Sequence, residues 1–249
     1  MREPGPGNRK GRPTIIGPMR FRAVFFDVGE TLVHPDPSFP ELFARITEAQ
    51  GCVVLPDDVV EASKVVLARF SEAADDRELW TTSPERSRRF WMSVYGSMLH
   101  ALDLSDHDGL PDLLYRAFTD RSNYALFEDV RPAIARLETE DVTLGLVSNF
   151  EAWLDDLLVD LDLREAFAVR VISGIEGIEK PDPRIFELAL HRAGIGPAEA
   201  AYVGDNPVFD VDPPAALGMH PVLIDRRNRH PDFDGDRITD LRDLATVLA

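Results

Sequence analysis

The sequence predicts an α/β fold in which a doubly wound parallel sheet carries an inserted all-helical domain. Three observations predict it. The stretch "AVFFDVG" near residue 25 is apolar at consecutive positions, which is typical of a parallel strand covered on both faces. Residues 38 to about 122 show helical patterns and no convincing strand. From Val130 onward, strand and helix patterns alternate, which indicates βαβ units with right-handed crossovers.

The chain of 249 residues is long enough for one large domain or for a core with a modest insertion. Residues 1–20 are rich in Gly, Pro and Arg and lack periodicity, so we predict a flexible N-terminal extension there. We predict that residues 21–34 and 124–249 form the α/β core. Residues 35–123 are then the helical insertion.

The insertion is predicted from four helical segments. Ser83 followed by Pro84 is typical of a helix start, because a Ser side chain caps free N–H groups and Pro fits the first turn. The segments are "FPELFARITEAQG", "PDDVVEASKVVLARFSEAA", "SPERSRRFWMSVYGSMLHAL" and "PDLLYRAFTDRS".

The second half of the chain supplies the rest of the predicted sheet. A helix is expected from Pro132, and further helices near "EAWLDDLLVDL", "DPRIFELALHRAG" and "DPPAALG". The predicted strands between them are "VTLGLVS", "AVRVIS", "AAYVG" and "HPVLID". The stretch "DFDGDRITD" has carboxylates spaced loosely like a calcium loop, but it lacks the central Gly and closing Glu and is predicted to be a solvated loop.

The charge and composition of the chain restrict the molecules that the protein is expected to bind. The formal net charge is −17, from 44 acidic and 27 basic residues, so the surface repels nucleic acid and anionic lipid, and neither is an expected partner. An anionic small molecule needs a divalent cation or local Lys and Arg side chains at its site. The chain shows no apolar stretch typical of a membrane span or signal peptide, and we expect a cytoplasmic protein. Cys52, the single cysteine, agrees with a reducing compartment and is expected to be a packing residue.

Polar side chains follow the predicted strands where an open parallel sheet forms its ligand crevice. In chain order they are Asp27 with Thr31, Ser148 with Asn149, Lys180, and Asp205 with Asp210. Each alone has an ordinary explanation, such as a helix cap or a solvated turn. In this order and spacing they resemble the four motifs of the haloacid dehalogenase superfamily of hydrolases, over residues 21 to about 225. The resemblance implies a Rossmann-like core and makes the helical insertion the family's cap.

The resemblance also implies residue roles. It is strongest to the phosphatase branch, which implies a small phosphorylated substrate and an aspartyl-phosphate formed on Asp27. The implied catalytic residues are Asp27, Thr31, Ser148 and Lys180, and the implied substrate-binding residues are Ser148, Asn149 and Lys180. The implied cofactor is Mg²⁺, held by Asp27, the Gly29 carbonyl, Asp205 and Asp210. Asp210 would either support the metal ligands or orient Lys180.

Gly29 departs from the family's phosphatases, which carry at this position a second Asp that protonates the leaving group and then activates water. Glycine keeps the carbonyl for a metal ion but removes the acid, and a positioned acid or base contributes roughly 10²–10⁴-fold to a rate. We therefore expect a preference for good leaving groups. A substitute acid could come from Glu30, from His34 or from the cap. The cap candidates share one predicted helix: Arg86, Arg88, Arg89, Trp91, Tyr95 and His100.

Two other hypotheses stay open. The 2-haloacid dehalogenases of the superfamily also lack the second Asp, because halide leaves without a proton. They also lack the metal-binding Asp of the fourth motif, which this chain retains as Asp205. The third hypothesis is a protein that binds Mg²⁺ and phosphate with negligible turnover.

Overall fold

The computed structural model describes residues 19–75, 78–105, 107 and 109–249. The extension predicted at residues 1–20 therefore lies almost entirely outside the described residues. Within the described ranges, no helix combines the length and the apolar character needed to cross a membrane.

Six strands form one parallel sheet, which confirms the predicted fold class. The strands of the chain are β1 (Ala23–Phe26), β2 (Val33–Pro35), β3 (Tyr124–Leu126), β4 (Thr143–Ser148), β5 (Val169–Ile172), β6 (Ala200–Gly204), β7 (His220–Ile224) and β8 (Arg237–Ile238). The sheet order is β5-β4-β1-β6-β7-β8, and every neighbouring pair is parallel. β1 lies in the interior of the sheet, where Phe26 pairs with Leu146 on one side and with Val203 on the other.

Helices cover both faces of this sheet and fill the insertion between β2 and β3. They are α1 (Phe39–Glu48), α2 (Pro56–Ala62), α3 (Lys64–Asp75), α4 (Pro84–Ala101), α5 (Leu110–Phe118), α6 (Val130–Leu137), α7 (Leu154–Asp160), α8 (Ser173–Glu176), α9 (Pro183–Ala193), α10 (Asp212–Leu217) and α11 (Leu244–Val247). The predicted start of α4 is confirmed, because the Ser83 side chain accepts a hydrogen bond from the Arg86 N–H.

Side chains that alternate along β1 divide the apolar core into two clusters, one on each face of the sheet. Val24 and Phe26 belong to the apolar cluster on one face of the sheet, and Ala23 and Phe25 belong to the cluster on the other face. All four are fully buried, as expected for a parallel strand covered on both sides. The helical insertion has an apolar cluster of its own, which includes the buried Cys52 as a packing residue.

Two local predictions were wrong, and one pair of strands was missed. The segment predicted as one helix after Leu55 is two helices, α2 and α3, interrupted at Ser63, whose hydroxyl donates to the Val60 carbonyl in competition with the helix backbone. β2 and β3 form an antiparallel ribbon that was not predicted. The loop predicted at residues 232–240 contains β8, which adds an edge to the sheet. These strands have only two or three residues, too few to show an alternating pattern.

Candidate active site

Asp27 directly follows β1, and its backbone N–H continues the strand pairing by donating to the Val203 carbonyl at 2.8 Å. Its side chain is buried and oriented by two donors on one oxygen. Oδ1 accepts from Ser148 Oγ at 3.1 Å and from Lys180 Nζ at 2.7 Å. Oδ2 accepts no hydrogen bond from the described residues. One oxygen of Asp27 is thus held, and the other is free to attack or to bind a cation.

Lys180 is 3% exposed and is fixed at both ends. Its backbone exchanges hydrogen bonds with the Asn149 side chain, from Lys180 N to Oδ1 at 2.6 Å and from Nδ2 to the Lys180 carbonyl at 2.8 Å. Its ammonium group donates to Asp27 and, at 2.6 Å, to Asp210 Oδ1. Burial opposes the charge, but attraction to Asp210 and Asp27 outweighs it and raises the pKa of Lys180. Asn149, predicted to bind substrate, here positions Lys180.

Tyr202 is a site residue that the sequence did not reveal. It lies within β6, is fully buried, and its hydroxyl donates to the Val147 carbonyl at 2.7 Å. The same oxygen accepts from Lys180 Nζ at 3.1 Å. The one available signal was the need of a buried Tyr hydroxyl for partners, which does not say what those partners are.

Asp205 and Asp210 follow β6 and complete a cluster of carboxylates. One oxygen each from Asp27, Asp205 and Asp210 lie within 4.8 Å of one another. Both Asp210 oxygens already have protein partners, Lys180 Nζ on Oδ1 and the Asn206 N–H on Oδ2 at 3.0 Å. A Cβ at Gly204 would collide with the Asp210 side chain, so only glycine permits this packing.

Asp205 is half-buried and faces the cluster, where Lys180 offsets only part of the negative charge around it. Its carboxylate has no hydrogen bond and no ion pair with the described residues. Burial, together with the negative charges of Asp210 and Asp27, raises the pKa of Asp205 well above its ordinary value. The donor set therefore fits a divalent cation that prefers oxygen ligands, with Asp27 and Asp205 as its available carboxylates.

Gly29 lies at the mouth of this cluster in open space. The backbone of Gly29 is not in the left-handed region. A Cβ added to this residue would meet only Phe150 Cε2, at 4.0 Å. The next residue, Glu30, is left-handed with φ 56°. Its carboxylate accepts from Arg227 at 2.7 Å, an ion pair at the surface of the cleft. Glu30 is thus held by Arg227, which makes it a poor substitute for a mobile acid.

Most of the other candidates for the acid lie outside the lining of the cavity: His34, Arg86, Arg88, Arg89 and His100. His34, in β2, packs on Phe127 with 4.5 Å between ring centroids and bonds the Pro35 carbonyl, outside the lining of the cavity. Arg86 and Arg88 bond Thr82 and Asp112 within the cap, and His100 bonds Ser105. Trp91 and Tyr95 do line the cavity.

Thr31, predicted to be catalytic, is fully buried and does not line the cavity. Its hydroxyl has no hydrogen-bond partner among the described residues. Its carbonyl accepts from Arg226 at 2.7 Å, and Arg226 also pairs with Asp129. The structure thus gives Thr31 a place in the support of the turn after Asp27.

Cap and core meet next to Lys180. Glu179 is 3% exposed, and its two oxygens accept from the Trp80 N–H and the Thr81 N–H, both at 2.8 Å. The Thr81 hydroxyl donates to it as well, at 2.6 Å. Burial outweighs these bonds and raises the pKa of Glu179. Nothing in "GIEGIEK" distinguishes this Glu from its neighbours, so the sequence did not reveal the contact.

The cavity between cap and core has a volume of about 360 Å³. Asp27, Ser148, Asn149, Lys180, Asp205 and Asp210 all line it, as does Gly29. The structure thus brings every predicted site residue except Thr31 to one cleft at the carboxyl ends of the strands, where open α/β sheets bind ligands.

This fold is that of an α/β protein with a helical insertion, and its cluster is a carboxylate-lined cleft at the carboxyl ends of the strands. The model of the haloacid dehalogenase-like hydrolase family matches residues 21–218, and the chain belongs to that family. Human haloacid dehalogenase-like hydrolase domain-containing protein 3 is 29% identical over 209 residues, which cover 83% of this chain and 82% of the human protein.

Relatives with different activities in their names also match. A phosphoserine phosphatase of Thermus thermophilus is 33% identical over 162 residues, covering 62% of this chain and 65% of that enzyme. The (S)-2-haloacid dehalogenase 4A of Burkholderia cepacia is 25% identical over 222 residues, covering 84% of this chain and 93% of that enzyme. Among solved structures, a HAD-hydrolase from Bacillus subtilis bound to magnesium superposes with a TM-score of 0.75 at 17% identity, over 92% of this chain and 99% of that one.

Proposed function

We propose that this hydrolase is a Mg²⁺-dependent phosphatase that acts on a small phosphorylated molecule through an aspartyl-phosphate on Asp27. The observation that carries the proposal is the carboxylate of Asp205, which lies beside Asp27 and Asp210 and has no hydrogen bond or ion pair with the described residues. With all three carboxylates ionised, they and the one ammonium group of Lys180 leave a charge of −2 in the cluster. A phosphate dianion would be repelled by that charge, whereas a bound divalent cation brings it to zero.

Asp27 and Asp205 are the residues we assign to the ion, with the Gly29 carbonyl as a further predicted ligand. When bound, Mg²⁺ would supply positive charge to the phosphoryl oxygens. We assign Asp210, predicted as a metal ligand, to Lys180 instead, because both of its oxygens have protein partners. The haloacid dehalogenase-like family and the name of the Thermus relative support the reaction class.

The proposed chemistry is assigned to three side chains of the protein, Asp27, Ser148 and Lys180. Asp27 attacks phosphorus through its carboxylate, which Ser148 and Lys180 orient by donating to Oδ1 and whose Oδ2 has no partner among the described residues. The P–O bond to the leaving group breaks as the Asp27–P bond forms, and water then attacks phosphorus and releases phosphate and Asp27. Lys180 and the Ser148 hydroxyl lie where they offset negative charge on the transferred group.

The site lacks a positioned acid at Gly29, and Glu30 and His34 are held by other groups. The leaving group therefore departs with its electron pair and takes a proton from solvent. The favoured substrates are acyl phosphates and the phosphate esters of acidic alcohols, because their leaving groups need less help from a proton donor.

Asp205 also bears on the dehalogenase alternative. Its unpaired carboxylate would repel the carboxylate of a 2-haloacid, and a metal-free dehalogenase has no use for it. The experiment is an assay of an aryl phosphate, an alkyl phosphate and 2-chloropropionate, each with Mg²⁺ and with excess chelator.

We expect aryl phosphate hydrolysis that requires Mg²⁺. Chloride release from 2-chloropropionate in the presence of chelator would establish the dehalogenase instead. Mg²⁺ binding by calorimetry without turnover of any of the three would point to the binding protein.

A further inference from the structure

The cavity above Asp27 is walled largely by aromatic rings. On the cap side, Trp91 stacks on Tyr95 and Tyr95 on Phe118, with 5.6 and 5.7 Å between ring centroids. On the core side, Phe150 and Trp153 meet edge to face at 4.7 Å. All five line the cavity. Aromatic surfaces on two sides favour a flat apolar group, because such a group removes the most apolar area from water there.

Among the described residues that line the cavity, Glu151 is the one acidic side chain that bonds to the cap. Its Oε1 accepts from the Ser87 hydroxyl at 2.6 Å and from the Tyr115 hydroxyl at 3.2 Å. Burial, followed by the Glu151 charge, raises the pKa of Tyr115 to about 12, so this phenol stays a donor at neutral pH. A Cβ on Gly174 would lie 2.9 Å from Glu151 Cα, so the backbone beneath Glu151 is closely packed.

Tyr95 offers a second polar group. The residue is 2% exposed and lines the cavity, and its hydroxyl has no hydrogen-bond partner among the described residues. Burial raises the pKa of Tyr95 well above its ordinary value, so the hydroxyl is neutral. A hydroxyl of a cavity-lining residue that has no protein partner is available to bond a ligand atom.

The cations of the cavity all belong to the core. Among its described lining residues they are Lys180, Arg227 and Arg229. Lys180 is paired with Asp27 and Asp210, and Arg227 is paired with Glu30, whereas the Arg229 guanidinium has no ion pair among the described residues. No cation of the cap lines the described cavity. A negative group on the organic part of a substrate would therefore meet Glu151 without a counter-charge from the cap.

Resting on the proposed phosphatase function, we propose that the substrate is an aryl phosphate, the phosphate monoester of an aromatic hydroxyl compound whose ring carries no anionic group where it meets Glu151. The substrate ring occupies the aromatic cavity. Glu151 selects for a hydrogen-bond donor or a cation on that ring, and the Tyr95 hydroxyl contacts the polar edge of the ring. The missing acid at Gly29 independently supports an aryl phosphate as the substrate. A phenol has a pKa of about 10, far below that of an alcohol, so phenolate leaves without a positioned acid.

The reaction balances without a further reactant. Asp27 forms a bond to phosphorus as the bond from phosphorus to the phenolic oxygen breaks. The phenolate carries away the electron pair and is protonated by solvent. Water then opens the aspartyl-phosphate and gives inorganic phosphate.

The first test compares 4-nitrophenyl phosphate with acetyl phosphate, which has a good leaving group but no ring. We expect kcat/KM to be at least about tenfold higher for the aryl ester, the scale of one well-packed aromatic contact or more. A higher value for acetyl phosphate would overturn the aryl assignment and leave the phosphatase standing. No hydrolysis of either would overturn the phosphatase itself.

Trp91 tests the role of the aromatic walls. The substitution Trp91→Leu should lower the ratio of aryl to acetyl kcat/KM by about tenfold, and Trp91→Phe, which keeps a ring, should restore most of that ratio. An unchanged ratio in Trp91→Leu, in a protein that melts like the wild type, would contradict the proposal. The wild-type comparison decides the proposal even if a variant fails to fold.

Glu151 tests the charge selection. We expect wild type to prefer 4-(aminomethyl)phenyl phosphate over 4-carboxyphenyl phosphate by about tenfold in kcat/KM, since the carboxylate of Glu151 attracts one ring and repels the other. Glu151→Gln keeps an oxygen for Ser87 and Tyr115 and should reduce the preference to about twofold. A wild-type preference for the anionic ring, or an equal preference in both proteins, would overturn the role of Glu151.

Discussion

Replacing Gly29 by Asp should restore the acid that the site lacks. The structure leaves room for it, because a Cβ at this position meets only Phe150 Cε2 at 4.0 Å and the backbone is not left-handed. The neighbouring carboxylates of Asp27 and Asp205 would raise the pKa of the new carboxyl, which favours a proton donor. A well-placed acid is worth roughly 10²–10⁴-fold, and without optimisation we expect at least about tenfold, ~1.4 kcal/mol of barrier.

The assay measures kcat/KM over a series of phosphates whose leaving groups span a wide range of pKa. Wild type should slow steeply as that pKa rises, and Gly29→Asp should gain most on alkyl phosphates and flatten the dependence. Gly29→Asn is the matched control, with the same shape and no acid, and thermal melting checks the fold of each. A flat dependence in wild type, with no gain in a folded Gly29→Asp, would refute the reasoning and place the acid on another residue.

Three further variants test the catalytic cluster and the junction of cap and core. Asp27→Asn should lower hydrolysis by more than about a thousandfold with an unchanged melt, because an amide cannot attack phosphorus; activity within tenfold of wild type would exclude Asp27 as nucleophile. Asp205→Ala should weaken Mg²⁺ binding in calorimetry and lower activity in parallel, whereas equal wild-type rates with and without chelator would exclude the metal. Glu179→Gln places an amide NH₂ against the N–H donors of Trp80 or Thr81, so it should cost about 1–3 kcal/mol and lower Tm by several degrees. Glu165→Gln, at a side chain that is 90% exposed, is its control, and equal melts of the two would contradict the importance of this contact.

Local patterns were sufficient for five of the six strands of the sheet and for most of the cleft. β1 reads as a buried parallel strand because consecutive apolar side chains serve both faces, and its neighbours end in polar residues at the same edge. Since parallel strands bring their carboxyl ends together, Asp27, Ser148 and Asp205 had to lie near one another. Family resemblance then added Lys180, which no strand pattern would place there.

Contacts between distant parts of the chain could not be predicted. Glu179 reaches Thr81 across 98 positions, and Arg227 reaches Glu30 across 197. The second pair removes Glu30 as a free acid, although it lies beside Gly29 in the sequence. β2 and β3 are three residues each and lie on opposite sides of the helical insertion, so neither their pattern nor their spacing indicated that they pair.

Trapping the covalent intermediate tests the central claim most directly. The protein would be mixed with an aryl phosphate and Mg²⁺, quenched in acid during turnover, digested and examined by mass spectrometry. We expect a phosphoryl group on Asp27, absent when chelator replaces Mg²⁺ and absent in Asp27→Asn. Turnover of the same substrate with phosphate on another residue, or with no modified Asp27 at any quench time, would contradict it.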